Sequence, residues 1–340
     1  MPLRIGLIGA GANTRTQHIP GFRRCADVEI LGVANRSVAS GRRIADEFGI
    51  PKVYASVEEL CASPDIDAVS IGTWPYKHRE YTIMALEAGK HVLCEARMAM
   101  DLSEAEDMLE ASERNPGLVA QLVPAPFDFR LGPTITRLID EGALGDIREV
   151  TVNVLNASAL DPAIPLHWRQ RADYSGKNVM MFGIFVEVMH RWLGDHAEVL
   201  ASGDTFINER TDAEAGTMMP VTVPDTYIVT GHLKRGARIT YHFSSVAAGA
   251  DTNGVTVFGT KATLRWKMGD TAVLQPHGGG AKPLEPDPGT DRGWKVEEDF
   301  VASVREGAPI RLTNFVDGVR YMRVIDAAHT SCTSGRAVTV

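Results

Sequence analysis

Gly9-Ala10-Gly11-Ala12-Asn13-Thr14 comes directly after the short apolar run Arg4–Ile8 and opens a segment of helical pattern. A dinucleotide needs such a turn. Gly9 permits the sharp reversal, Gly11 lets the backbone approach a pyrophosphate, and the helix start offers unpaired N–H groups at the positive end of its dipole. Ala12 and Asn13 continue the turn, and Thr14 stands where the third glycine of the fingerprint would be. A plain strand-to-helix turn also uses two glycines, so the surrounding chain must decide between the two. Strands are read at Val28–Ala34, Asp67–Ile71, Val92-Leu93 and Leu118–Val123. Helical stretches begin after Ser37, run through Tyr81, Met84, Ala85 and Ala88, and start again at Asp101 with Glu104 three residues on. Strands alternating with helices give an α/β Rossmann domain, a doubly wound parallel sheet, over residues 1–123.

Beyond Pro124 the rhythm changes. A helix is read from Pro133 to Glu141, a strand over Ile147–Leu155, and a long helix over Asn178–Leu193. Two hairpins come next, Tyr227–Leu233 with Ala237–Ser244 and Val255–Phe258 with Ala262–Trp266. Asn208–Pro224 and Pro276–Gly293 read as loops, and Trp294–Arg305 and Phe315–Thr330 as amphipathic helices. Residues 124–340 are therefore expected to form an α+β domain with a mostly antiparallel open sheet, used for substrate binding and oligomerisation.

The charges give a net −8 over 340 residues. A nucleic-acid binder needs a basic field, so no nucleic-acid partner is expected. Cys25, Cys61, Cys94 and Cys332 are dispersed without metal spacing, which suggests reduced thiols, a cytoplasmic location and no metal. No apolar run reaches membrane-spanning length and the N-terminus does not read as a signal peptide, so no membrane association is expected. The end of the second strand bears on the cofactor. NAD enzymes usually place a carboxylate there for the ribose 2′-hydroxyl, whereas this chain has Asn35-Arg36-Ser37. Arg36 can pair with a 2′-phosphate and Ser37 can donate to it, with Arg42 and Arg43 nearby. This favours NADP(H) over NAD(H); a solvated Arg36 and a merely capping Ser37 are the alternative.

Several stretches together carry a resemblance: Thr73-Trp74-Pro75-Tyr76-Lys77-His78, Ala88–Glu95, Leu138–Gly145, and Trp168-Arg169 ahead of a glycine-containing helix start. In these the chain resembles the glucose–fructose oxidoreductase / inositol dehydrogenase / rhizopine-catabolism (Gfo/Idh/MocA) family nearly end to end. The resemblance implies a Rossmann domain followed by an open-sheet domain whose outer face often forms a dimer interface, hence a homodimer or homotetramer. It places Thr73, Trp74, Pro75, His78, Glu95 and Ala96 around the cofactor. Three positions depart from the family. Its Glu-Lys-Pro reads Glu95-Ala96-Arg97 here, and its later aspartate and histidine fall on Met181 and Phe185. The usual acid–base side chains are thus replaced by hydrocarbon, which cannot take the proton of an alcohol.

Replacements are sought among the neighbours. Lys177 takes a glycine's place at what is read as a helix N-terminus. The dipole there disfavours an ammonium, which suits a general base or a Schiff-base amine. Arg97 cannot be a base but can clamp a carboxylate or phosphate, which would make the small-molecule substrate anionic. Asn178 is expected on the helix face that carries positions 181 and 185, there to bind a sugar hydroxyl or the nicotinamide amide. His167, Trp168 and Arg169 suit a polyol or sugar acid. Glu187 and His190 read as structural, and Met181 and Phe185 as pocket lining. The leading expectation is an NAD(P)-dependent oxidoreductase acting on a small polyol, sugar, sugar acid or keto substrate. The rivals are an enzyme using bound NAD(P) as a transient redox relay, and a non-catalytic dinucleotide or ligand sensor.

Overall fold

The alternation of the first third produces six parallel strands: Leu3–Ile8 (β1), Val28–Ala34 (β2), Lys52–Val53 (β3), Ala68–Ile71 (β4), His91–Cys94 (β5) and Ala120–Leu122 (β6). Their order is β3-β2-β1-β4-β5-β6, so the winding reverses between β1 and β4, the point where open α/β sheets bind ligands. Ile5, Leu7, Ile8, Ala68, Val69 and Ile71 are wholly buried, which is why these strands read as apolar runs rather than as alternation. The helix Val38–Phe48 starts where the Ser37 hydroxyl accepts the Ser40 N–H and stops at Gly49, whose φ of +63° suits glycine. The computed structural model describes residues 1–249 and 253–340. Within this first third two short elements escaped the sequence reading, β3 and the helix Val57–Ala62, because two and six residues carry no measurable period.

The chain divides into two compact units, Met1–Pro124 with Lys295–Val319, and Ala125–Trp294 with Arg320–Val340. The sequence division at residues 123 and 124 did not foresee the return of Lys295–Val319 to the first unit. There the helix Val296–Glu306 sets Phe300 edge-on to Phe22 at 6.3 Å. A contact between residues so distant along the chain leaves no local pattern to read.

In the second unit Ile147–Leu155 (β7), His196–Asp204 (β8), Glu209–Thr211 (β9) and Met218–Pro220 (β10) are followed by Thr226–Leu233 (β11) and Arg238–Ser244 (β12). Gly254–Gly259 (β13), Ala262–Lys267 (β14), Thr271–Pro276 (β15), Lys282–Leu284 (β16) and Val338–Thr339 (β17) complete it. Nine of these form one sheet, β16-β15-β14-β13-β7-β12-β11-β8-β17, in which β7 and β12 pair in parallel and the other neighbours are antiparallel. Tyr227, Tyr241, Phe243, Val257, Leu264 and Trp266 point to its buried face. The helix Phe182–Leu193 packs on that face through Phe182, whose ring lies 5.1–6.2 Å from those of Tyr227, Tyr241 and Phe243.

Three expectations need correction. The long helix starts at Phe182, not Asn178. Residues 178–181 form an irregular turn in which Met180 has φ +43° and the Asn178 amide donates to the Ser175 carbonyl at 2.6 Å. The segment Asn208–Pro224 contains the β9–β10 hairpin, and Pro276–Gly293 contains β16; strands of three residues are too short to show alternation.

Phe182→Ala removes the ring that seats this helix on the sheet. A loss of about 3–5 kcal/mol is expected in denaturant unfolding. Phe182→Leu should recover a large part of it, and an unchanged midpoint for the alanine variant would refute this packing account.

Candidate active site

The turn after β1 has the shape a dinucleotide requires. Gly9 has φ +77°, and a Cβ there would lie 2.5 Å from Thr73 Cγ2. Gly11 is exposed, and a Cβ added to it would have only the Gly72 carbonyl within 4 Å, so its open side can accept a ligand. Thr14 is buried and its hydroxyl donates to the Gly9 carbonyl at 3.2 Å. It fits because residue 72 is glycine: a Cβ there would come 2.1 Å from Thr14 Oγ1. Residues 12–24 are helical, with a π-helical turn over Thr14–His18 before Ile19–Arg24, and the first N–H groups of such a segment have no intrahelical acceptor. At the end of β2, Asn35 Oδ1 accepts the Ala10 N–H at 2.7 Å, so Asn35 braces the loop. Ser37 caps the next helix and Arg36 is exposed. These residues fit a nicotinamide dinucleotide: a cradle without Cβ atoms, a helix start, and no carboxylate among residues 34–37.

Beside this turn lies a polar cluster that the sequence reading missed. His18 is wholly buried, with Nε2 2.9 Å from Glu95 Oε1 and Nδ1 2.5 Å from Glu297 Oε1. Both ring nitrogens face carboxylates, which only accept, so both carry protons. Burial opposes that charge, but the two carboxylates outweigh it and raise His18 from 6.5 to about 9. Burial likewise works against the Glu95 charge, yet His18, the Asn13 amide and the Ala96 N–H hold its carboxyl below the usual range. Asn13 donates to Glu95 Oε1, which links the turn after β1 to the end of β5.

His78 is buried and ties the neighbouring loops: its ring nitrogens lie 2.9 Å from the Thr73 carbonyl and 2.9 Å from that of Arg97. Thr73 and Trp74 are half-buried and Pro75 is buried. The Ala96–Arg97 peptide bond is cis. Arg97 is 2% exposed and engaged within the protein, which removes the open anion clamp expected of it.

In the second unit Lys177 donates to the Asp326 carboxylate. It lies after the four-residue helix Ala172–Ser175 and five residues before the helix start at Phe182, so the expected dipole effect lacks its geometry. Asn178 is 1% exposed and closes the turn, so it is not on the helix face assigned to it. Phe185 is wholly buried, its ring stacked on Phe127 at 5.0 Å. Met181 alone of the pair lines a cavity of about 400 Å³, together with Met180, Phe243, His167, Arg169 and Asp225. His167 Nδ1 accepts the Arg169 N–H at 3.2 Å, which leaves the proton on Nε2 and makes the ring a donor, not a base. The Arg169 guanidinium lies over the Trp168 ring at 4.2 Å. Glu187 accepts the Ala125 N–H and pairs with Arg191, while His190 meets His196 at 3.0 Å; both serve packing. Among the described residues no group of three His, Cys, Asp or Glu is arranged to hold a metal ion, and no helix is long and apolar enough to cross a membrane.

Residues 3–121 match an oxidoreductase family described by its NAD-binding Rossmann fold, and residues 134–265 match the GFO/IDH/MocA C-terminal domain. The chain belongs to the Gfo/Idh/MocA oxidoreductase family. It is similar to an uncharacterized oxidoreductase of Synechocystis, 27% identical over 77% of this chain and 71% of that protein. Similarity to the 1,5-anhydro-D-fructose reductase of Ensifer adhaerens is 35% over 52% of each chain, so the match spans about half of that enzyme. An oxidoreductase domain protein of Kribbella flavida superposes with a TM-score of 0.86 over 100% of this chain and 99% of its own, at 25% identity. As a Gfo/Idh/MocA member the chain is an NAD(P)-dependent oxidoreductase.

The raised His18 value sets a pH dependence. A base whose folded value exceeds its unfolded one stabilises fully below the unfolded value and loses that contribution as pH rises through the folded one. The Tm difference between wild type and His18→Gln should be large at pH 6, shrink progressively between pH 6.5 and about 9, and be small above that. A difference independent of pH would show that His18 does not carry charge.

Proposed function

We propose that this oxidoreductase reduces a small carbonyl compound related to sugars, with NADPH preferred over NADH. The observation that carries the reading is the Gly9–Gly11 turn at the β1/β4 reversal, braced by Asn35 and Thr14 with Gly72 making room. Gly9, Gly11, Ala12 and Asn13 would hold the pyrophosphate, and Arg36 would meet a 2′-phosphate, the stretch 34–37 having no acidic residue. When bound, the reduced nicotinamide supplies a hydride. The substrate occupies the cavity of the second unit, walled by Met180, Met181 and Phe243.

The reduction needs a proton donor. Ala96, Met181 and Phe185 have no proton to exchange. Lys177, three residues before the cavity wall, is an ammonium paired with Asp326, and therefore a donor. In the reduction the carbonyl carbon gains a hydride and its oxygen a proton, which Lys177 supplies as general acid. The name of the Ensifer relative, a reductase of a sugar-derived ketone, supports the same direction.

Fluorescence titration tests the cofactor. NADPH should bind tighter than NADH, and Arg36→Ala should erase about tenfold of that preference, the worth of one charge-assisted hydrogen bond. Equal affinities in wild type would remove Arg36 as a phosphate reader. Nicotinamide absorbance with ketoses and anhydro-ketoses tests the chemistry: Lys177→Met should lower kcat by about 10²–10⁴-fold with cofactor affinity intact. Full turnover in that variant would take proton donation away from Lys177.

A further inference from the structure

The cavity of the second unit contains a buried charge that packing leaves half used. Asp225 stands immediately before β11 and is 3% exposed. Its Oδ2 accepts the N–H groups of Phe206 at 2.9 Å and Ile207 at 3.0 Å. Its own N–H donates to the Asp204 carbonyl at 3.0 Å, and its carbonyl accepts the Ser245 N–H at 2.9 Å and the Ser245 hydroxyl at 3.3 Å. Two neighbouring residues thus fix the side chain, and two more its backbone. Oδ1, in contrast, is buried without any hydrogen-bond partner, although Asp225 lines a cavity wide enough for a small ligand. An acceptor left unmatched inside a protein is costly, and a ligand donor placed against it recovers that cost. The surrounding Met180, Met181, Phe243 and Val154 side chains offer no donor of their own and keep the local dielectric low.

We propose that Asp225 is a specificity-determining residue: Oδ1 accepts a hydroxyl of a neutral, hydroxyl-bearing substrate and turns away acids. This rests on the placement of the substrate in this cavity under the proposed function. A carboxylate brought to Oδ1 would set two anions together among apolar walls, where their repulsion is little screened. Arg169 also lines the cavity, but it is exposed, with its guanidinium over the Trp168 ring, so water screens its charge more than that of the buried Oδ1. The hydroxyl donor has the opposite effect, since a site built around a buried polar group discriminates strongly between ligands that do and do not satisfy it. A neutral substrate thereby takes the place of the anionic one expected from Arg97.

The test uses the full chain with NADPH and two matched pairs of probes, D-glucose with D-glucuronate and D-galactose with D-galacturonate, monitored by saturation-transfer NMR. Wild type should bind the neutral member of each pair about 10- to 100-fold more tightly, the range of a hydrogen bond to a charged group. Asp225→Asn keeps an oxygen for the Phe206 and Ile207 N–H groups but turns an amide nitrogen into the cavity. It should abolish most of that preference without changing NADPH affinity. Asp225→Ser is the fallback if the asparagine variant does not fold. The proposal is overturned if wild type binds the acids as well as the neutral sugars, if the preference survives in a folded variant, or if no neutral probe binds. Neutral-sugar preference lost in Asp225→Asn, but with no probe or ketose ever changing nicotinamide absorbance, would sink the proposed carbonyl reduction and leave the role of Asp225 standing.

Discussion

Two backbone segments meet at Gly9 and Gly72 with no space for a Cβ on either: a Cβ on Gly72 would come 2.5 Å from the Gly9 carbonyl, and one on Gly9 2.9 Å from the Thr73 nitrogen. This contact brings the ends of β1 and β4 together where the winding of the sheet reverses. It also sets the direction in which the helical segment leaves β1, and so where its unpaired N–H groups point. Thr14 depends on the same contact. The third glycine of a dinucleotide turn ordinarily allows close helix–strand packing; here the missing Cβ is on residue 72, and Thr14 fills the space with a hydroxyl bonded to the Gly9 carbonyl. The imperfect fingerprint is therefore a relocation of the small residue, and the cradle keeps its shape.

Beside the cradle, the first unit commits three ionisable groups to one buried contact. Removing charges from water is costly unless each is paired and hydrogen-bonded. His18 meets that condition with a carboxylate on each ring nitrogen, and Glu95 adds the Asn13 amide and the Ala96 N–H. The arrangement joins the first helical segment, the end of β5 and the helix Val296–Glu306. A Cβ on Gly21 would lie 2.2 Å from a Glu297 oxygen, so the helical segment carrying His18 has glycine where Glu297 approaches. Steric fit and charge pairing act at the same spot. Together they explain why a segment near residue 300 belongs to the nucleotide-binding unit.

The range of each interaction determines how much of it the chain displays locally. The strand Val28–Ala34 and the helix stop at Gly49 are set by neighbours within a few residues, and both were legible in the sequence. The turn at Gly9 was legible for the same reason. His18, Asn35 and Asp225 were not read for what they do. Their partners lie at Glu297, Ala10 and Phe206, and a lone histidine or aspartate gives no sign of which distant group it will meet. The start of the long helix was misplaced because Asn178–Met181 has helical composition, while the Asn178–Ser175 hydrogen bond and the positive φ of Met180 hold it in a turn. That error displaced Lys177 and Asn178 from the roles a helix N-terminus would have given them.

The hydrocarbon at positions 96, 181 and 185 has different consequences at each place. Phe185 has joined an aromatic core, stacked on Phe127 and within 6.3 Å of Phe243 and Trp266, so an imidazole there would have to displace established packing. Met181 lines the cavity and makes it more apolar. A drier cavity strengthens every polar contact that remains. In the proposed reaction the proton at the substrate oxygen passes through Lys177, which the second unit holds against Asp326. With hydrocarbon at positions 96, 181 and 185, the buried Asp225 carboxylate is, in the role proposed for it, the strongest discriminator of what may enter the cavity.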